Sequence, residues 1–159
     1  MRVIARELAI RGWLLRSGGS PGADSAFEQG CDEGRGRKEI FLPWRRFNGS
    51  ESHLYDTPAE ALAIAARHHP GLLARSSRIQ RLRARNVCQV LGRTLDQPSN
   101  LVIAWTEGGR LSGGTATVLH IAAERSIPTI NLGSPEHSSI GGAELLSRVL
   151  ALGFTPPGQ

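Results

Sequence analysis

The sequence is poor in aromatic residues and cysteine and has no long apolar run. Aromatics make up 5% of its 159 residues. Single-stranded nucleic acid is ordinarily held on several aromatic platforms. Trp44, Phe47 and Trp105 are the few candidates, which tilts the reading toward a small ligand. Two cysteines, Cys31 and Cys88, are too few for a disulfide scaffold and fit the reducing cytoplasm, the expected compartment. No stretch approaches the ~18 apolar residues of a membrane-spanning helix. The opening Met1-Arg2-Val3-Ile4-Ala5-Arg6-Glu7 is broken by charge and has no apolar core of a signal peptide. His53, His68, His69 and His137 share no ligand spacing, so neither a metal site nor a cofactor is expected. Walker and GxGxxG patterns are both missing.

What is present fits one domain, placed at residues 1–154 with a loose tail over 155–159. Apolar residues make up 40% and charged residues 21%, enough for a core and too apolar for a disordered chain. The net charge is +5 and the pI about 10.5. Of the 19 basic residues only Lys38 is a lysine. Arginine suits a planar, bidentate grip on phosphate. A phosphorylated or polyanionic partner follows, against the plainer alternative of a basic surface that only keeps the chain soluble.

Apolar periodicity predicts a short helix over 2–11 ending at Gly12, then a strand over Trp13–Arg16. Asp24 or Ser25 is the expected cap of a second helix, and Glu39–Pro43 a second strand. Thr57-Pro58-Ala59-Glu60 has the form of a helix start with a capping box. A further helix opens at Ser76 or Ser77 and carries Ile79, Leu82, Val87, Val90 and Leu91. Leu101–Trp105 and Ile127–Leu132 read as strands, with a helix after Gly113-Gly114-Thr115 between them and a last helix over 142–152. Alternating strands and helices predict an α/β fold with a mainly parallel sheet. Ligands of such sheets bind beyond the carboxyl ends of the strands.

Two strand-end loops carry the chemistry. In Ser17-Gly18-Gly19-Ser20-Pro21-Gly22-Ala23-Asp24, the glycines let backbone approach a ligand and a helix N-terminus follows at once. A tight turn without a ligand is the alternative, and Asp24 is either a cap or an acceptor for a ligand hydroxyl. The second loop, Thr106 to Thr115, repeats the arrangement with Gly113, Gly114 and Thr115. Two such loops in one small sheet point to a nucleotide or sugar phosphate. Glu107 is the loop's only carboxylate and the candidate acid–base catalyst. His120 is a weaker candidate base, and Cys88 reads as core. Arg75, Arg78, Arg81 and Arg85 lie in a segment without acidic residues, with the last three at i, i+3 and i+7 on one helical face. That face suits phosphate, or is a solvated surface paired with acids elsewhere.

In order along the chain, these residues resemble a known group. Arg16-Ser17-Gly18-Gly19-Ser20-Pro21-Gly22-Ala23-Asp24 is similar to the second-strand loop of the SLOG superfamily, which unites the DNA-processing protein DprA/Smf with the Lonely Guy phosphoribohydrolases. Lys38–Trp44 with Phe47-Asn48, Arg85–Gly92, and Gly113-Gly114-Thr115 leading to Ile127–Leu132 resemble phage-type DprA-like proteins. The resemblance covers most of residues 2–133. It implies a Rossmann-like, mainly parallel sheet of four to five strands with helices on both faces. It also implies nucleotide or nucleic-acid binding, with Ser17, Gly18, Gly19, Gly22 and Asp24 in one loop, Gly113, Gly114 and Thr115 in the other, and Arg85 and Asn86 reaching the same cleft. Such folds usually begin with a strand ahead of the first helix, whereas Met1 falls at that helix. The expectation is therefore a sheet lacking its usual first strand, from a truncated start or with a neighbouring chain supplying the edge, and hence a homo-oligomer. The Lonely Guy pattern continues from glycine-threonine to a glutamate, where this chain has Ala116-Thr117-Val118. The leading expectation is a nucleotide-binding protein. The alternatives are a single-stranded DNA binder using the arginine face and a nucleotide N-glycosidic hydrolase using Glu107.

Overall fold

Apolar segments punctuated by glycine turns alternate between helix and strand in the computed structural model, which describes residues 1–153. The order is α1 (Arg2–Ile10), β1 (Leu14–Ser17), α2 (Ala23–Glu33), β2 (Arg37–Ile40), α3 (Ala59–His68), α4 (Ser77–Leu91), β3 (Val102–Ala104), α5 (Thr115–Glu124), β4 (Thr129–Asn131), α6 (Pro135–Ser138) and α7 (Gly142–Ala151). Short 3-10 turns occupy Phe47–Gly49, Leu72–Ala74 and Glu107–Gly109. The tail expected over 155–159 lies outside the described residues. No helix among them is long and apolar enough to cross a membrane.

Helix α1 buries Ile4, Ala5, Leu8 and Ala9, one face of a 3.6-residue period. It stops where Gly12 takes a φ of 82°, as a terminating glycine should. Two expected caps differ. Helix α2 begins at Ala23 after Gly22, so Asp24 lies inside the first turn and reaches back to the Ser20 N–H at 3.0 Å. Helix α3 follows Pro58 without a side-chain cap, so the capping box at Thr57 and Glu60 does not form.

The fold is α/β, but the sheet departs from expectation. Instead of one mainly parallel sheet of four to five strands there are two parallel pairs, β1 with β2 and β3 with β4. The reason is an interruption in the ladder: β1 and β3 are not hydrogen-bonded to each other, and a cavity of about 240 Å3 is lined by both. Helices cover both faces. Val102 and Ala104 of β3 pack into a cluster with Val87 and Leu91 of α4, Ala61 of α3 and Ile121 of α5. The alternate residues Leu101 and Ile103 face a second cluster built from Ile4 and Leu8 of α1 and Leu145 and Val149 of α7. This period-2 division along β3 fixes which helices lie on which side. A third, smaller cluster of Ile40, Leu42 and Phe47 seats the first 3-10 turn near the end of β2.

Candidate functional site

The sheet's interruption places α4 beneath both strand pairs, and α4 joins the two glycine loops. Its consecutive residues Arg85 and Asn86 reach opposite loops. Arg85 donates through Nη1 to the Gly18 carbonyl and through Nη2 to Ser20 Oγ at 3.1 Å. Asn86 Nδ2 donates to the Gly114 carbonyl at 3.0 Å. The loop after β1 and the start of α5 are thereby tied to one short stretch of helix.

Arg85 is only 4% exposed. Asp24 Oδ2 stands 3.9 Å from its Nη1, and the guanidinium lies over the Phe47 ring at 5.7 Å from its centre. Its Nε is buried without a partner. Burial pushes its pKa down, and the charges of Asp24 and Glu28 oppose that shift. Gly18 is the residue that admits this side chain: a Cβ there would run into the guanidinium and meet Asp24 Oδ2 at 3.0 Å.

The first loop is held by carboxylates. Glu28 Oε1 accepts from Ser17 Oγ at 2.5 Å and from the Gly19 N–H at 3.1 Å, and Asp24 accepts from Ser20 N–H. Asn48 Nδ2 donates to the Gly19 carbonyl at 2.9 Å. Two of the N–H groups expected to face an anion are therefore engaged, and the loop offers acceptors instead. Asp24 has its side chain 24% exposed, and its Oδ1 accepts from Gln89 Nε2 at 3.5 Å. Gly22, at a φ of 97°, has open space where a Cβ would point.

The second loop has the opposite polarity. Gly114 and Thr115 open α5, whose N-terminus carries about half a positive charge. A Cβ on Gly114 would stand 2.9 Å from Arg83 Nη1 and 3.1 Å from Asn86 Nδ2, so the bare glycine keeps both side chains close. Gly113, at a φ of 63°, is open. Arg83 is half-buried and has no acidic partner among the described residues, and burial lowers its pKa. Behind it, His69 Nε2 lies 2.5 Å from the hydroxyl of the fully buried Thr117. Burial first, then the charges of Arg83, His120 and His68, lower the His69 pKa.

The other candidates fall outside this group of side chains. Glu107 sits in a 3-10 turn with its side chain 80% exposed, paired with Arg110 at 2.9 Å. Nothing there isolates it from water as an acid–base group requires. Arg75, Arg78 and Arg81 are exposed, whereas Arg85 is buried. The predicted four-arginine face is thus divided. Arg78 stacks on Trp44 at 5.3 Å from the ring centre, and Trp44, Ser77, Arg78 and Arg81 line a shallow depression. Burial raises the Cys88 thiol to about 11, which leaves it core rather than nucleophile. The His120 ring lies 5.9 Å from that of His68. No group of three or more His, Cys, Asp or Glu suited to a metal occurs among the described residues.

Sequence reasoning missed Glu28 and His69 and held Arg83 only as one of the arginines of the acid-free 75–93 segment. Glu28 had a signal, since it falls four residues after Asp24 and so shares its helix face. The placement of Arg83 and His69 beside the second loop had none, because it depends on how α3 and α4 pack against α5. In comparisons with family models, curated proteins and solved structures, nothing matches this chain.

Proposed function

We propose that this is a nucleotide-binding protein of the SLOG, DprA-like kind, with its ligand in the cleft between the two glycine loops and a Rossmann-like arrangement behind it. The observation that supports this most is the span of α4, where adjacent residues Arg85 and Asn86 reach the two loops. The polarity of the loops orients the ligand. Phosphate suits the N-terminus of α5, where Arg83 adds a charge with no acid beside it. A ribose hydroxyl suits Asp24, a half-buried acceptor on the first loop. Glu107 takes no part in this reading, so binding is proposed and hydrolysis is not.

A thermal-shift panel of AMP, ADP, ATP, NAD, ADP-ribose, cyclic dinucleotides and a single-stranded oligonucleotide, at low and high salt, tests it. A pocketed mononucleotide keeps its shift at high salt, because a buried contact is screened little. A shift with the oligonucleotide alone, lost at high salt, contradicts the reading. That outcome favours the second reading, a single-stranded DNA surface over Arg75, Arg78, Arg81 and Trp44. The stacking of Arg78 on Trp44 is the observation that supports it.

A further inference from the structure

Helix α4 carries a second group of arginines away from the cleft. Arg81 lies one turn before Arg85, and Arg78 nearly one turn before that, about 6 and 10 Å back along the axis. Both are exposed, whereas Arg85 is buried. With Ser77 and Trp44 they line a shallow depression of about 450 Å3. Neither has an acidic partner among the described residues, and the 75–93 segment contains no acid.

The side chains around the depression are braced. The Arg78 guanidinium lies over the Trp44 ring, 5.3 Å from its centre. Trp44 meets Phe47 edge to face, with ring centres 5.0 Å apart and an angle of 89°. Trp44 and Leu82 pack against the cluster of Ile40, Leu42 and Phe47. Phe47 is buried and carries Arg85 over its own ring. A planar cation laid on a ring that the core supports has little rotamer freedom left to lose on binding. The same bracing restricts what can bind. An indole already engaged by Arg78, Phe47 and the cluster is not a free platform for a base, and stacked bases are what ordinarily hold a single strand. Arg78 and Arg81 also converge on one depression instead of tracking along a backbone.

We propose that this depression binds one phosphoserine or phosphothreonine side chain presented by an extended segment of a partner polypeptide. Two guanidinium forks three residues apart on one helix face are close enough to share an anion. A phosphoseryl group brings a charge of about −1.5 to −2 and three acceptor oxygens, which matches two guanidiniums and the Ser77 hydroxyl. A carboxylate brings one charge and two oxygens, and leaves one arginine unanswered. The depression is wider than a phosphoryl group needs, so the group arrives on something larger. Ile79, next to Arg78 in the chain, is 37% exposed and offers an apolar contact to the residues flanking the phosphate. Arginine clusters are a recurring means of reading phosphorylated segments.

The test uses the whole chain and a short fluorescein-labelled peptide with one phosphoserine flanked by leucines, followed by fluorescence anisotropy. The expected result is saturable one-to-one binding, with the unphosphorylated peptide roughly tenfold weaker or more. The double variant Arg78→Gln/Arg81→Gln is expected to lose about as much. Trp44→Leu keeps every charge but removes the support of Arg78, and should weaken binding about threefold. Circular dichroism checks that both variants fold. Arg93→Gln/Arg125→Gln removes two exposed charges elsewhere and should change binding less than about twofold. An equal loss in that control overturns the proposal in favour of a diffuse basic surface. Absence of saturable binding and equal binding of the two peptides each overturn it, as does displacement by inorganic phosphate as effective as by the unlabelled phosphopeptide. A single-stranded oligonucleotide that displaces the peptide better than the phosphopeptide does also overturns it, in favour of the single-stranded DNA reading. None of these outcomes depends on whether the cleft binds a nucleotide.

Discussion

A guanidinium that is 4% exposed must find acceptors inside the protein, and Arg85 finds them on the first glycine loop. Arg85→Leu leaves the Gly18 carbonyl buried and unpaired, so stability in urea should fall by about 1–3 kcal/mol. Nucleotide binding should fall with it, because the loop loses its tie to α4. His69 gives a second residue-scale expectation. Its folded pKa lies below the ordinary 6.5. Below pH ~6.5 the unfolded chain therefore takes up a proton that the folded chain resists. The neutral form's contribution is complete above that pH and is lost as pH falls toward the depressed value. The groups facing His69 are Arg83, His120, His68 and the Thr117 hydroxyl. His69→Gln should flatten the stability profile below pH ~6.5, read by urea melts. The cysteines should be silent: with Cys88 raised to about 11 and Cys31 also raised by burial, neither should react with a disulfide reagent at pH 8 until the chain unfolds. The core reading of Cys88 was legible in its apolar helix face. The burial of Arg85 was not, since periodicity groups it with Arg78 and Arg81 and only packing separates them.

Helix α2 crosses α1 at small residues. A Cβ on Gly30 would strike the Arg2 carbonyl and stand 2.8 Å from Ala5 Cβ, and one on Gly34 would stand 2.7 Å from Ala9 Cβ. Gly30→Ala gains about 1 kcal/mol of helix propensity but forces two backbones apart. Overpacking of this kind costs about 1–3 kcal/mol, so the net effect should be a lower Tm without loss of helix content. No local pattern in the sequence reports the need for these glycines, because its reason lies in α1. Element types were largely legible: α1, α4, α7 and the strand cores of β3 and β4 stand where periodicity and turn residues put them. Strand β2 was misplaced. It spans Arg37–Ile40, its first residues charged and on an exposed surface, while the buried Phe41 still donates its N–H to Ser17 O and Leu42 turns its own to Leu54 O. Apolar content drew the expected strand two residues too far along.

At the scale of the whole molecule, four strands and parallel pairing were legible from the alternation of elements, but continuity of the sheet was not. Continuity depends on whether the inner edges of β1 and β3 come within hydrogen-bonding distance, which no local pattern reports. The two glycine loops were legible as a pair. Their opposite polarity was not, because it rests on Glu28 and Asp24 closing the first loop and on Arg83 standing beside the second.

The central claim is that a nucleotide lies between these loops, and calorimetric titration with AMP, ATP and NAD tests it most directly. The measurement compares the parent chain, Gly114→Val, and the double variant Arg78→Glu/Arg81→Glu. Valine at 114 displaces the Arg83 and Asn86 side chains, whose nitrogens stand within 2.9 Å and 3.1 Å of a Cβ there, and leaves an ordinary helical backbone. The account predicts binding of at least one of the three by the parent, a loss of at least tenfold in Gly114→Val, and little change in the double variant. Binding that survives Gly114→Val but is lost in the double variant, or no heat with any of the three, would contradict it.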